Sequence, residues 1–322
     1  MKFLTKLTPV AATLFLSLGA LSAQAEEVKD PLSISGFVDM SYYSSDLDGA
    51  DPSMGLDQAE IDLAYDFGNK LSVNVDIEYQ SSDANADGVD LEQAYMTYAY
   101  TDNISVKAGR FLSYSGFEAE EPTGLYQYSG TGYAKYFYGY YQQGVSGMYS
   151  ADKFAVAVSV VNSLAGPQDF NADSPAIETM FAFMPTEAIT LKAFYSMDET
   201  ATGQDIDMIN LWGSYAAGPL TIGLEYNMAD NTAGDDTEAS GYLAMVNYAF
   251  TDKVGLTLRY NAWEVENSLT GAATEESSGI TISPSYVVND NLLMVFEYRM
   301  DSNEGTAGAD ANSFAVEALV TF

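Results

Sequence analysis

Acidic side chains are the residues of this sequence best suited to chemistry, and their densest group is Glu118, Glu120 and Glu121. These three lie in the segment YSGFEAEEPTGLYQYSGTGYAKYFYGYYQQG, in which Lys135 is the only base. The segment also holds eight tyrosines, whose hydroxyl groups suit packing against a polar wall. Its glycines permit sharp bends. We expect the segment to fold into the interior of the protein, with its glutamates at the narrowest point; an exposed loop with solvated acids is the alternative.

The residues that are absent exclude several kinds of catalysis. The chain has no His and no Cys, which removes Ser-His-Asp hydrolysis, the usual zinc sites and thiolate or disulfide chemistry. Nucleic-acid binding is also excluded, because it depends on Lys and Arg against phosphate, whereas this chain has a net charge of −34. We predict a protein that is not an enzyme, needs no cofactor or metal and has cations as natural small partners. Keeping the chain soluble during export is the alternative role for the acids.

The first 25 residues are predicted to be a Sec signal peptide. Lys2 and Lys6 precede the apolar run LTPVAATLFLSLGALS, and a small-x-small cleavage site follows at residues 23–25. The exported chain then begins near Glu26. Without the two lysines it has 10 basic and 46 acidic residues, a net charge of −36. Residues 26–322 are predicted to form a single domain.

The remaining sequence alternates between apolar and polar residues in segments of about ten residues, which is the length of a tilted membrane strand. The last ten, SFAVEALVTF, are apolar at every second position counted back from Phe322. Mean hydropathy is only −0.06, yet Tyr and Phe together number 40. Average hydropathy with many aromatics and period-2 alternation is typical of an all-β transmembrane antiparallel barrel.

Short and long polar stretches alternate between these segments. Seven short stretches have the Asp, Asn, Gly and Pro residues of tight hairpins. They lie at 66–69, 101–103, 151–153, 185–187, 217–219, 251–253 and 289–291. Seven hairpins and one strand at each end give sixteen strands, or fourteen if one weak hairpin is misread. Both termini then lie on the short-turn side, which is periplasmic in bacterial outer-membrane barrels. The longest outer stretch is the third, at 114–139.

Strand parity separates a lipid-facing side from an inward side, because Lys or Arg facing lipid at mid-depth costs about 2–4 kcal/mol. The predicted inward acids are Asp39, Glu60, Asp62, Asp76, Glu78, Glu178, Glu225, Glu297 and Glu317. The predicted inward bases are Lys107, Lys192, Arg259 and Arg299, together with Arg110 if Gly109 forms a bulge. This excess of acid predicts a cation preference in a narrow passage. Glu297 and Arg299 lie two apart on one strand and are also candidates for a structural ion pair.

Two further features are weaker. The segment SSDANADGVDLEQ begins like a calcium loop, but Ala94 stands at the twelfth position where an EF-hand needs Glu. It predicts loose divalent binding or a plain turn-rich loop. Pro284 removes a strand hydrogen-bond donor and predicts a bulge or bend.

Three segments carry a resemblance to a known family. SISGFVDMSYYSS, LDQAEIDLAYDFG and LEQAYMTYAYTDNISVKAGRFLSYSGFEAEEPTG resemble the OmpL-like β-barrel porins and, more broadly, the Gram-negative general porins. The resemblance implies a barrel in the outer membrane, surrounded by its lipids, with a third outer loop folded into the lumen, and a homotrimer. Phe322 is similar to the C-terminal signal read by the barrel-assembly machinery, although Glu317 occupies about the position where glycine is usual.

The function expected from residues and resemblance together is passive diffusion of small hydrophilic solutes and cations. The expected pore constriction consists of Glu118, Glu120, Glu121, Lys107 and Arg110. Two alternatives remain open: a substrate-specific channel with an aromatic track, and a structural or adhesive barrel with a plugged lumen.

Overall fold

The computed structural model describes residues 31–81, 88–164 and 173–322, and in them it shows a closed barrel of sixteen antiparallel strands. The predicted signal peptide and residues 82–87 of the calcium-like segment lie outside the described residues. The strands are β1 (Leu32–Ser45), β2 (Ser53–Asp66), β3 (Leu71–Gln80), β4 (Val89–Ala99), β5 (Ile104–Leu112), β6 (Tyr141–Ser150), β7 (Phe154–Val161), β8 (Ala176–Thr186), β9 (Ile189–Glu199), β10 (Asp205–Ala217), β11 (Leu220–Asp230), β12 (Thr237–Ala249), β13 (Val254–Asn267), β14 (Ala272–Asn289), β15 (Leu292–Gly305) and β16 (Ala311–Thr321).

The prediction of sixteen strands is confirmed. Each strand pairs with the next in sequence, and β1 closes the barrel on β16 with Val38 opposite Val320 and Tyr42 opposite Val316. All seven predicted tight turns connect neighbouring strands. The strands run further toward the long-loop side than predicted, so the connection between β13 and β14 shortens to residues 268–271. No helix among the described residues is long and apolar enough to cross a membrane.

The outer face of the barrel is apolar, as strand parity predicts. Outward side chains such as Ile61, Leu191 and Leu258 are exposed on this face. Phe322 follows β16 at the seam where the barrel closes. Its backbone exchanges hydrogen bonds of 3.1 and 3.2 Å with Gly36. Gly36 has no side chain, and a Cβ there would collide first with the Glu60 carbonyl oxygen and then with the Phe322 ring.

The inner face has two different halves, whereas the alternation of apolar and polar residues predicts a polar lumen. Along β7–β13 the buried inward side chains are more often apolar than polar; Phe194, Trp212 and Leu243 lie there beside polar groups such as Glu225 and Arg259. Around the seam, β1–β4 and β14–β16 place mostly polar and acidic side chains inward. In particular, β7 (FAVAVSVV) is apolar on both faces apart from Ser159, so it is an exception to the alternation of apolar and polar residues. An apolar inner wall must be covered to be stable.

The third loop (residues 113–140) provides that cover, and its predicted inward fold is confirmed. It contains one 3₁₀ turn (Pro122–Gly124) and the four-residue helix α1 (Ala134–Phe137). Phe117, Tyr133, Phe137 and Tyr138 are buried within the apolar cluster of the wall. Each fully buried aromatic side chain contributes about 1.5–3 kcal/mol. Hydrophobic burial is therefore the main force that draws the loop inward.

Pro284 lies where the pairing between β14 and β15 is interrupted. The pairing between β14 and β15 skips Ser283 and Pro284, yet the register is the same on both sides, with Ile282 opposite Tyr298 and Ser285 opposite Val295. Of the two predicted alternatives, the bulge is wrong, because the missing donor removes hydrogen bonds without adding a residue to the strand; the bend stays a prediction.

Candidate functional site

A buried ion pair anchors the third loop to β13. Arg259 Nη1 lies 2.6 Å from Glu118 Oε1, and the two side chains are 0% and 7% exposed. The same guanidinium donates to the Ser129 carbonyl at 2.6 Å and to the Ser129 and Thr281 hydroxyls at 3.0 Å. Because Arg259 already neutralises Glu118, this glutamate adds little net charge to the lumen. Its role is mainly to hold the loop.

A second anchor comes from β15. The backbone N–H of Ser129 donates to Glu297 at 3.0 Å, and Arg299 donates to the Gly130 carbonyl at 2.8 Å. Arg299 also forms its ion pair with Asp301, at 2.8 Å. The predicted ion pair between Glu297 and Arg299 does not form. Glu297 instead accepts from the loop at Ser129, and Arg299 pairs with Asp301, two residues further along the strand.

A third anchor centres on Glu225 of β11. Its carboxylate accepts from the Phe117 backbone N–H at 2.8 Å, from the Tyr133 hydroxyl at 2.5 Å and from the Tyr138 hydroxyl. Asn210 of β10 donates to it at 2.5 Å. Four donors satisfy this buried carboxylate. The tyrosines of the loop thus act as hydrogen-bond donors to the barrel wall, as their hydroxyl groups suggest.

The loop also reaches the seam side of the barrel. The Tyr128 hydroxyl lies 3.2 Å from Ser41 of β1 and 3.2 Å from the Asp57 carboxylate of β2. Gln58 of β2 donates to Glu121 at 3.0 Å. Since other anchors lie on β11, β13 and β15, the loop crosses the lumen rather than lining one wall.

A cavity of about 410 Å³ lies between the third loop and the seam strands. Its acidic lining residues are Asp39, Asp57, Glu118 and Glu120. Tyr128, Tyr138 and Tyr140 add aromatic surface, and no Lys or Arg is among the described residues that line it. The cavity therefore presents oxygen atoms and aromatic rings to its contents, a surface suited to cations.

Asp57 was missed by sequence parity because β2 contains a bulge. Asp39 pairs with Gln58 and Met40 pairs with Leu56, so Asp57 is the extra residue. Glu92 of β4 was missed for the same reason, since Asp76 pairs with Gln93 and Ile77 with Leu91. A bulge places two consecutive residues opposite one partner and breaks the alternation on which parity depends.

The predicted constriction residues do not all meet at the cavity. Glu118 and Glu120 line it, whereas Glu121, Lys107 and Arg110 do not. Lys107 Nζ lies 4.6–5.4 Å from the ring centres of Tyr95, Phe111 and Tyr114. Of the predicted glutamates, Glu118 pairs with Arg259 instead, and Glu121 lies beside Glu60 and Glu92.

Arg110 is turned toward β4. Its Nε donates to the Glu92 carbonyl at 2.7 Å, and its Nη2 lies 3.5 Å from Asp90. Gly109 has φ +133°, while the pairing of β4 with β5 keeps its register. A torsion angle available to glycine, rather than the expected bulge, accompanies this orientation.

The remaining predicted lumen residues lie on the inner face. Glu60, Asp62 and Asp76 place carboxylate oxygens within 4.8 Å of one another, and Glu78 is buried beside Glu92. Lys192 lies 5.0 Å from the Trp212 ring centre on the apolar side. The full predicted set is Asp39, Glu60, Asp62, Asp76, Glu78, Lys192, Glu225, Arg259, Glu297 and Arg299.

Burial changes the acidity of the loop glutamates. It raises the pKa of Glu120 above its ordinary value. It raises the pKa of Glu121 to about 7, although the Tyr141 hydroxyl that donates to this carboxylate at 2.7 Å lowers it. Loss of water disfavours the charged form of both groups.

Comparison with known families agrees with this architecture. The family described as "Putative beta-barrel porin-2, OmpL-like" matches residues 31–322. The chain belongs to this family. No curated protein matches the chain. The family and the barrel point to the outer membrane of a Gram-negative bacterium and to a channel rather than an enzyme.

Solved porin structures share the fold of this porin at low sequence identity. OmpF of Salmonella typhi, in complex with daunomycin, has 12% identity and a TM-score of 0.72, covering 90% of this chain and 97% of that one. The outer membrane channel DcaP of Acinetobacter baumannii has 14% identity and a TM-score of 0.69, with coverage of 90% and 97%. OmpT of Vibrio cholerae, in trimer form, has 18% identity and a TM-score of 0.66, with coverage of 90% and 99%.

Proposed function

We propose that this porin is a passive diffusion channel for small hydrophilic solutes that prefers cations. The observation that carries the proposal is the acidic cavity beside the third loop, which four carboxylates line without any Lys or Arg among its described lining residues. Lys107 and Lys192 are set against aromatic rings instead. Since the Debye length is about 8 Å at physiological salt, fixed carboxylates in a passage of molecular width act on every ion that passes.

Reversal potential in a salt gradient across a planar bilayer tests this proposal. The variant combines Asp39→Asn, Asp57→Asn and Glu120→Gln, and it leaves Glu118 in place because Arg259 already neutralises it. We expect cation preference to fall toward neutrality with the channel still open, because these three groups are the unpaired charges of the cavity.

A charge-matched control combines Asp102→Asn, Asp152→Asn and Asp252→Asn, all in short turns at the other end of the barrel. This control should keep the selectivity of the wild type. Anion selectivity in the wild type, or equal selectivity in both triple variants, would place the path elsewhere.

A second candidate is a channel selective for organic cations. Tyr128, Tyr138 and Tyr140 line the same cavity as the carboxylates, and aromatic faces beside acids bind ammonium groups. Liposome influx distinguishes the two candidates. Saturable uptake of amines with weak uptake of neutral sugars of similar size would favour this second candidate, whereas linear uptake of both solutes supports passive diffusion.

The third loop crosses the lumen, so a barrel with a plugged lumen is a third candidate. The loop is hydrogen-bonded to β1, β2, β11, β13 and β15. If the refolded barrel shows no conductance under any voltage, the lumen is plugged and a structural or adhesive role replaces transport.

We also propose that the chain is exported by the Sec pathway, inserted by the barrel-assembly machinery through its C-terminal strand, and assembled as a homotrimer among outer-membrane lipids. The trimer form of Vibrio cholerae OmpT supports the last point. N-terminal sequencing of the mature protein should start at Glu26. Native gels of detergent-extracted protein should show a trimer that separates on heating, and a species of single-chain mass alone would overturn the assembly proposal.

A further inference from the structure

Three glutamates from different elements converge at one point of the lumen wall. Glu60 lies on β2, Glu92 on β4 and Glu121 in the third loop, and one carboxylate oxygen of each lies within 4.8 Å of the other two. The bulge that turns Glu92 inward is what completes the group. This cluster joins the crossing loop directly to the barrel wall.

Several buried carboxylate oxygens in and beside the cluster have no hydrogen-bond partner. Glu60 and Glu92 are only 6% and 5% exposed, and one oxygen of each has no hydrogen-bond partner. Glu78, which lies directly across from Glu60 on β3, is 7% exposed and also has an oxygen without a partner. It stands outside the trio but contacts Glu92. Buried carboxylate oxygens without partners are costly, so something must neutralise them.

Arg110, the neighbouring base, does not neutralise the cluster. Arg110 directs its guanidinium to Asp90 and to the backbone of Glu92, and its Nη1 has no partner. Gln58 and Tyr141 each donate one hydrogen bond to Glu121, and one oxygen each of Glu60, Glu78 and Glu92 still has no partner. The cluster therefore combines several negative charges with no cation at hydrogen-bonding distance among the described side chains.

We propose that Glu60, Glu92 and Glu121 bind a divalent cation, Ca²⁺ in preference to Mg²⁺, with Glu78 as a further carboxylate. The donors are all hard oxygen atoms, with no imidazole or thiolate among them. Ca²⁺ takes six to eight oxygen ligands in flexible geometry, whereas Mg²⁺ keeps several of its waters and usually binds through one or two carboxylates. A site of three or four convergent carboxylates therefore suits the larger ion.

Such an ion would fasten the third loop to β2 and β4, a side of the barrel on which Gln58 supplies a hydrogen bond to the loop. It would also remove local negative charge without touching the cavity acids. The proposal concerns binding and does not depend on the channel function, so either can fail without the other.

Terbium luminescence with the refolded mature chain in detergent provides the test. Tb³⁺ substitutes for Ca²⁺, and Tyr141, 2.7 Å from Glu121, is placed to sensitise its emission. We expect one saturable class of Tb³⁺-binding sites. Ca²⁺ should displace Tb³⁺ from these sites, and Mg²⁺ should displace it less well. The variant Glu60→Gln, Glu92→Gln, Glu121→Gln should lose affinity by more than the roughly 10- to 100-fold that follows loss of an outer partner of a metal site.

A matched control removes three other glutamates. Glu264, Glu276 and Glu304 lie directly opposite one another on β13, β14 and β15 and face outward, and their replacement by Gln removes the same charge. This control should keep the wild-type affinity, which separates a built site from general attraction by an acidic chain. Equal affinity in wild type and site variant, or equal loss in both variants, overturns the proposal.

Folding is checked by heat-modifiable migration on gels. The single variant Glu121→Gln changes only the loop and avoids any effect on strand pairing; it should also bind Ca²⁺ more weakly. If the wild type shows no saturable Tb³⁺ and its infrared band of protonated carboxyls is unchanged by Ca²⁺, shared protons neutralise the cluster and the metal site is refuted.

Discussion

At the scale of single residues, loss of the Arg259–Glu118 ion pair should destabilise the barrel most. Both side chains are almost completely buried, and they join strand β13 to the third loop. Glu118→Gln leaves the guanidinium without its counter-charge. Breaking a buried pair in this way costs about 3–5 kcal/mol. We expect a correspondingly lower free energy of unfolding, measured by urea titration of the refolded barrel with intrinsic fluorescence.

Lys135→Gln is the matched comparison because it removes another ion pair of the same loop. Lys135 lies 3.5 Å from Glu275 and its side chain is 54% exposed. An exposed pair of this kind contributes about 0.2–1 kcal/mol. Equal losses in the two variants would mean that burial does not set the strength of the Arg259 anchor.

At the scale of elements, the inward fold of the third loop depends on glycines in the opposite wall. Gly223 of β11 leaves the space that the Phe117 ring occupies, and any added side chain would collide with that ring. Gly223→Val should therefore push the loop from the wall, at a cost of about 1–3 kcal/mol for overpacking. Lys135 is the only basic residue in the loop, so tryptic cleavage there reports loop release, and it should become about 5- to 150-fold faster.

Gly147→Val is the control for this experiment. Gly147 also lies in a strand, β6, but has open space around its Cβ position. Its replacement should leave cleavage at Lys135 unchanged. Unchanged cleavage in Gly223→Val as well would show that the ring of Phe117 does not hold the loop in place.

The same elements show what sequence reasoning can reach. Strand number and facing could be predicted because most strands carry their own alternation, as in KLSVNVDIEYQ. Asp57 and Glu92 could not be assigned, since a bulge reverses parity and has no clear signature of its own. The strand residues that bind the third loop could not be predicted from the sequence either. Ser129 and Arg259 are far apart in sequence, and only the closed barrel brings them together.

At the scale of the whole molecule, charge and hydrophobicity divide the lumen. The apolar wall of β7–β13 is covered by the aromatic side of the third loop, and the acidic surface remains on the seam side. A net charge of −34 gives the sign of this surface but not its position. The apolar inner wall decides on which side the passage lies, because burying it fixes where the loop can pack.

This division predicts how selectivity depends on salt. If fixed carboxylates act through their field, cation preference should be strong at 0.1 M KCl, where the Debye length is about 10 Å, and weak at 1 M, where it is about 3 Å. Bilayer reversal potentials at constant concentration ratio measure this. The variant lacking Asp39, Asp57 and Glu120 carboxylates should show a flatter dependence. Selectivity that stays constant with salt in the wild type would indicate direct coordination of ions instead of a screened field.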